Sequence, residues 1–112
     1  PEFEASLDET LGNIISFSSN NFPLKWKNAA LSWRGLRILR RNALIIIANK
    51  QLKKYQTKVY KLLDDPSSVI RAYSAWALKK LPGDYNDVLK ELYKKEKSPD
   101  TKREVKKILT ER

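Results

Sequence analysis

Apolar residues recur at three- and four-residue intervals along most of this chain, and the strict two-residue alternation of a half-buried strand is missing. Helix is therefore the element the pattern supports. The intervals predict a helix over residues 7–17, with Ser6 as its cap and Glu9 three residues later, the reciprocal arrangement of a capping box. The stretch "SFSSNNFP" then breaks the pattern. A second helix starts near Asn28 or Ser32 and runs to Ala48 or Asn49, and a third covers 52–63 up to "DDPSS". Ser67 or Ser68 caps a fourth that reaches Leu81 before "PGD", and two more occupy roughly 85–95 and 100–110 on either side of "KSPD", each break being built from residues that favour turns.

These helices repeat. A shift of 31 residues lays "RRNALIII" (40–47) on "RAYSAWAL" (71–78) and on "KREVKKIL" (102–109), with a base followed three residues on by Ala43, Ser74 or Val105 and seven on by Ile47, Leu78 or Leu109. A shift of 30 puts Tyr55, Val59 and Leu62 on Tyr85, Leu89 and Leu92. Units of this kind are helical hairpins, each burying one face only by stacking on its neighbour. Within them, "DDPSSVIR" resembles the HEAT-repeat signature. The expected fold is all-α, an α-solenoid of about three HEAT-like hairpins. The resemblance implies that Arg71 pairs with the turn aspartate Asp65. Glu96 and Lys102 repeat that six-residue spacing. For Arg40, position 34 is itself arginine, so Asp65 of the following unit is the available carboxylate.

A helical wheel at 100° per residue sets Trp33, Leu36, Ala43, Leu44 and Ile47 on one broad apolar face, extended by Leu39 and Ile46. Arg34, Arg37 and Arg41 form a row beside that face, with Arg40 on its border. Guanidinium groups present planar, paired donors to phosphate oxygens, and neighbours three or four residues apart on a helix lie about 5–6 Å from each other. A row like this fits a phosphate backbone, or the acidic flank of another domain.

Charge sharpens the picture. The net charge is +10, and from Thr10 to Leu63 there are eleven Lys or Arg and no Asp or Glu, while the remainder carries twelve basic and thirteen acidic residues. Such an unbalanced block attracts polyanions, nucleic acid foremost. The candidate contact set is Lys25, Lys27, Arg34, Arg37, Arg40, Arg41, Lys50, Lys53 and Lys54. Tyr73 and Trp76 stand three apart on one helix, a spacing that favours packing between repeats over a base-stacking platform. Trp26, between Lys25 and Lys27, is the aromatic expected to be exposed.

With 112 residues, no Cys and no His, one folded unit is expected, and thiolate chemistry and the commonest general base are excluded. The longest apolar run, from Ala43 to Ala48, is far too short to span a bilayer. A cytoplasmic location and no membrane partner follow as expectations. Pro1, Glu2 and Phe3 read as a vector scar, leaving 4–112 as a single repeat domain excised from a larger protein.

"SWRGLRILRRNALIIIAN", followed by "DPSSVIRAYSAWALKKL", resembles the C-terminal HEAT-like region of the tRNA epoxyqueuosine reductases. Arg41-Asn42-Ala43 and Ser74-Ala75-Trp76-Ala77-Leu78 carry most of the likeness, while Lys79-Lys80 and "IIIANK" depart from it. The resemblance implies a parent oxidoreductase that converts epoxyqueuosine to queuosine at the tRNA wobble position. Cobalamin and two 4Fe–4S clusters would sit in its N-terminal catalytic domains. This piece would be non-catalytic and hold no cofactor or metal, its partners being tRNA, around the anticodon stem-loop, and those catalytic domains. Two other classes are weighed against it. A HEAT-repeat protein scaffold would turn the same stripe to an acidic partner. A HEAT-like DNA glycosylase would need a carboxylate beside aromatics on the basic face, and positions 10–63 offer none.

Overall fold

The computed structural model describes residues 14–15 and 33–111. Among them there are five α-helices and no strand: α1 (Trp33–Lys50), α2 (Gln56–Lys61), α3 (Ser68–Lys80), α4 (Asn86–Lys95) and α5 (Pro99–Thr110). The helix expected over 7–17 lies outside the described residues, except for Ile14 and Ile15, which are helical and buried.

Side chains at the termini explain most boundaries. Ser67 accepts a hydrogen bond from the Ile70 amide ahead of α3, and Ser98 accepts one from the Thr101 amide ahead of α5. Each satisfies one of the donors a helix start leaves open, and Pro99 at the first position of α5 gives up an amide that would have had no partner. The other end of α1 follows a rule the sequence hides. Gln51 has φ +51°, the Leu52 amide reaches back to the Ile47 carbonyl at 3.0 Å, and the Gln51 amide reaches Ala48 at 3.2 Å. That is the closure usually made by glycine, and it costs a side-chain-bearing residue roughly 1–2 kcal/mol. The Gln51 side-chain amide donates to the Lys80 carbonyl at 3.2 Å, covering an open acceptor at the end of α3.

The single helix expected over 52–63 is instead α2 with a 3-10 turn on each side, Lys53–Tyr55 and Leu62–Asp64. The chain has to re-enter helix after the Gln51 turn, and it must leave before Pro66. Asp65, preceding that proline, is extended at φ −59° and ψ 145°, since the pyrrolidine ring disfavours helix there. Gly83 forms the other tight turn. Its φ is +131°, and a Cβ would lie 2.8 Å from the Tyr85 hydroxyl, which is fixed by donating to the Pro82 carbonyl at 2.6 Å.

Helix α3 packs against both α1 and α5, while α2 lies on α3 and α4 on α5. Fully buried Leu44 and Ile47 of α1, Val59 of α2, Ile70 and Leu78 of α3, Leu89 and Leu92 of α4 and Val105 of α5 form one continuous core. Each contributes about 1.5–3 kcal/mol of apolar burial. Positions paired by the 30- and 31-residue shifts share their environment: Tyr55 with Tyr85, Val59 with Leu89, Leu62 with Leu92, and Ala43 with Ser74 and Val105 are all buried.

Two ion pairs, one buried and one partly buried, tie α1 to the turn before α3 and α3 to the turn before α5. Arg40 donates to Asp65 at 3.0 Å, and Arg71 makes a two-pronged contact with Glu96 at 2.7 and 2.8 Å. Both span 25 residues. Both carboxylates also accept the amide two residues on, from Ser67 and Ser98. The expected pairing of Arg71 with Asp65 is thus corrected. The Asp65 carboxylate belongs to Arg40, and Arg71 takes only the Asp65 and Pro66 carbonyls, at 2.7 and 3.1 Å. The first half of α1 faces the turn before α3 and the start of α3 faces the turn before α5, so each arginine finds its carboxylate ahead of it in the chain. Lys102, next in the series, stands over the Tyr93 ring at 4.8 Å.

Candidate nucleic-acid interface

The arginines of α1 divide into two kinds. Arg40 is spent inside the protein: its side chain is 6% exposed, Nη1 donates to Asp65, and Nε donates to the Ile14 carbonyl at 3.2 Å. Burial pulls its pKa below the ordinary arginine value while the Asp65 charge acts against that. The group remains a cation. Arg40 therefore leaves the candidate contact set, because its guanidinium is committed to holding the N-terminal segment and the Asp65 turn.

Arg37 and Arg41 are different. They are half-buried, one turn apart on α1 and therefore about 6 Å from each other along the axis. Among the described residues neither is in an ion pair. Arg34 belongs to the first turn of the same helix. Lys50 closes α1, and Lys53 and Lys54 stand in the 3-10 turn after it, all exposed. Lys50 lies nine helical steps, about 14 Å, beyond Arg41. The structure thus brings Arg37 and Arg41 together and sets the three lysines as a second basic group at the far end of the helix. Lys54 also stacks on Tyr55, 5.4 Å from its ring centroid. Lys25, Lys27 and Trp26 lie outside the described residues.

A groove of about 570 Å³ runs between α1, α3 and α5, lined by Ile45 and Asn49, by Tyr73 and Trp76, and by Glu104 and Glu111 among others. Tyr73 and Trp76 meet edge to face, centroids 6.5 Å apart. They pack against the core and still present surface to the groove. Positions 10–63 hold no carboxylate to stand beside aromatics, yet α5 supplies two from outside that window. Glu104 is an ordinary surface group, however, about half-exposed and 3.4 Å from Lys107. The opposite charge collects elsewhere, where Asp64, Asp87 and Glu91 line a smaller cavity of about 220 Å³ between α2 and α4 with Lys95. Lys95 is paired with Asp64 at 2.8 Å. Among the described residues no group of side chains has the make-up of a metal site, and no helix is long and apolar enough to cross a membrane.

No family model matches the sequence. It is 32% identical to the epoxyqueuosine reductase of Bacillus subtilis over 97 residues, covering 84% of this chain and 25% of that protein. It is 38% identical to that of Listeria monocytogenes over 74 residues, covering 62% of this chain and 19% of the relative. A crystal structure of epoxyqueuosine reductase with a tRNA-Tyr epoxyqueuosine-modified tRNA stem loop superposes with a TM-score of 0.76 at 31% identity, over 88% of this chain and 27% of that one. In these three cases the match is to one helical segment of a much larger protein. That larger protein is an epoxyqueuosine reductase, and this chain is homologous to one part of it, spanning between 19% and 25% of the length of the reductases it matches.

Proposed function

We propose that this chain is the tRNA-binding and bracing segment of an epoxyqueuosine reductase, built as a short solenoid of HEAT-like hairpins. The observation that carries the reading is the Arg37–Arg41 pair: two guanidinium groups on one rigid helix, without carboxylate partners among the described residues, in a block with no acid from Thr10 to Leu63. The exposed Lys50, Lys53 and Lys54 add a second basic group at the far end of α1. Folded RNA is held through its phosphates and shape by surfaces of this kind. The solved relative carrying a tRNA stem loop supports RNA as the polyanion.

Reduction of the epoxide is assigned to the rest of the parent. Iron–sulfur clusters find no thiolate or imidazole ligands here, because the chain has neither Cys nor His. A second contact is supported by Ile38 and Val69, 42% and 44% exposed at equivalent positions of α1 and α3. Exposed aliphatic side chains on neighbouring helices fit the docking of the catalytic portion of the parent.

The test is a binding titration of tRNA across a range of salt, with the wild-type chain and with Arg37→Gln/Arg41→Gln. Weaker binding and a shallower salt slope in the variant support the reading. Equal binding of tRNA by both proteins overturns it.

A further inference from the structure

The groove between α1, α3 and α5 adjoins the arginine pair without being part of it. Residues 37, 41, 45 and 49 are spaced at four along α1, so they follow one line on its surface. The last two, Ile45 and Asn49, form the α1 wall of the groove. Arg41 therefore sits one turn, about 6 Å, from the near end of that wall. Across from it stand Tyr73 and Trp76, in a T-shaped pair whose ring planes are 85° apart, so one of the two rings at a time can lie parallel to an inserted base. The far wall carries Glu104 and Glu111. Its volume, about 570 Å³, lies within the range of sites that enclose small organic groups, roughly 300–1,000 Å³.

We propose that this groove seats an unpaired nucleobase of the bound RNA, stacked on the face of Trp76 with Tyr73 standing edge-on beside it, while Arg41 holds the adjoining phosphate. The inference rests on the RNA-binding reading of the Arg37–Arg41 pair and adds a preference for unpaired over paired nucleotides. Charge fixes the orientation. The α1 wall continues into two cations, whereas on the α5 wall Lys107 is paired with Glu104 and Glu111 adds a further carboxylate, so phosphates follow α1 and the uncharged base turns inward. Every base has a π-face, which makes such a platform tolerant of sequence, and a base locked in a duplex cannot reach it.

The experiment compares an RNA hairpin with an unpaired loop against a blunt duplex of the same stem, at fixed salt, with Tyr73→Leu, Trp76→Leu, Trp76→Phe and Arg37→Gln/Arg41→Gln. The leucine variants are expected to weaken hairpin binding by about 5- to 150-fold and to leave duplex binding unchanged. Trp76→Phe, which keeps a ring, should retain most of the hairpin affinity, and the arginine variant should weaken both RNAs. Tryptophan emission gives a readout that needs no leucine variant: hairpin should change the wild-type signal, duplex should not, and Trp76→Phe should abolish the difference. Leucine variants that bind hairpin as the wild type does, while the arginine variant still loses both RNAs, remove the stacking site and leave the phosphate contact standing. Equal loss of both RNAs together with a lowered melting point shows the aromatic pair to be packing only, and overturns the proposal. So does intact hairpin binding with weakened association with the catalytic portion of the Bacillus subtilis reductase, which makes the groove a protein surface. An arginine variant without effect on either RNA defeats the underlying reading as well.

Discussion

Arg40 and Arg41 are neighbours in sequence and opposites in use. Arg40 turns into the interface between hairpins and meets a carboxylate and a carbonyl, whereas Arg41 lies on the edge of the same helix with no ion pair among the described residues. The contrast extends to whole regions. From α3 to α5, cations are balanced at short range, by Arg71 with Glu96, Lys94 with Glu91, Arg103 with Asp100 and Lys107 with Glu104. Along α1 and α2 no carboxylate is present to do this. The chain therefore has two charge regimes: cations with carboxylates close by from α3 to α5, and a stretch along α1 and α2 whose own sequence holds no acid.

The comparison is broken most severely at Arg40. Arg40→Ala should cost about 3–5 kcal/mol, because Asp65 would remain buried without its cation. Arg41→Ala should change stability by no more than about 0.5 kcal/mol, as expected for a surface position. Urea unfolding of the two variants measures the difference. Combining Arg40→Met with Asp65→Leu should recover most of the loss, since a buried pair replaced by apolar groups of similar size is often neutral. Failure of that recovery would locate the importance of the pair in the bonds it makes outside itself, from Arg40 to the Ile14 carbonyl and from the Ser67 amide to Asp65.

A milder break is available at the second pair. Arg71 is 21% exposed and Glu96 1%, so Glu96→Gln should cost less, about 1–3 kcal/mol. Hydrogen bonds from Arg71 are the main cause holding the Glu96 carboxyl below the usual glutamate range, with burial acting against them. A depressed folded-state pKa stabilises the protein fully above the ordinary glutamate value, and that stabilisation is lost as pH falls through the lowered one. Thermal melts of the wild type should therefore fall off in acid more steeply than those of Glu96→Gln. Parallel acid limbs would show that Glu96 contributes nothing through its charge. Next in size is the exposed Lys95–Asp64 contact, where Lys95→Gln should cost under about 1 kcal/mol, and the difference should vanish at high salt.

The helices after residue 33 and the Arg40–Asp65 pair were legible in the sequence, because apolar spacing and the placement of turn residues are local signals. The sequence misdirected Arg71 for a geometric reason: the six-residue spacing from Asp65 is visible in the string, while the 25-residue reach to Glu96 exists only once the hairpins are stacked. Gln51 was hidden because its backbone conformation is one usually announced by Gly, and tertiary contacts impose it here. In the candidate site, periodicity could place Arg37 and Arg41 on one edge but could not say that Arg40, on the border of the wheel, would be drawn inside. The groove was illegible for the same reason. Its walls come from three helices whose residues fall at unrelated places in the sequence.

The smallest expected effect on folding falls where the largest effect on binding should appear. Arg37→Gln/Arg41→Gln replaces two good helix formers by another, at half-buried positions that make no ion pair among the described residues. The melting temperature should therefore barely move. If each arginine meets a phosphate, the slope of log K against log salt should shrink by roughly 0.7–0.9 for every phosphate left without its arginine, because fewer counterions are released when the RNA docks. The control is Lys90→Gln/Lys106→Gln, two exposed lysines of α4 and α5 outside the groove, and the slope should stay where it was. A variant that melts early would show that the arginines brace α1 through their aliphatic stems, and the division between Arg40 and Arg41 would fail. A variant that melts normally and keeps the wild-type slope would leave that division intact but turn the uncommitted edge of α1 away from RNA and toward the acidic surface of another protein.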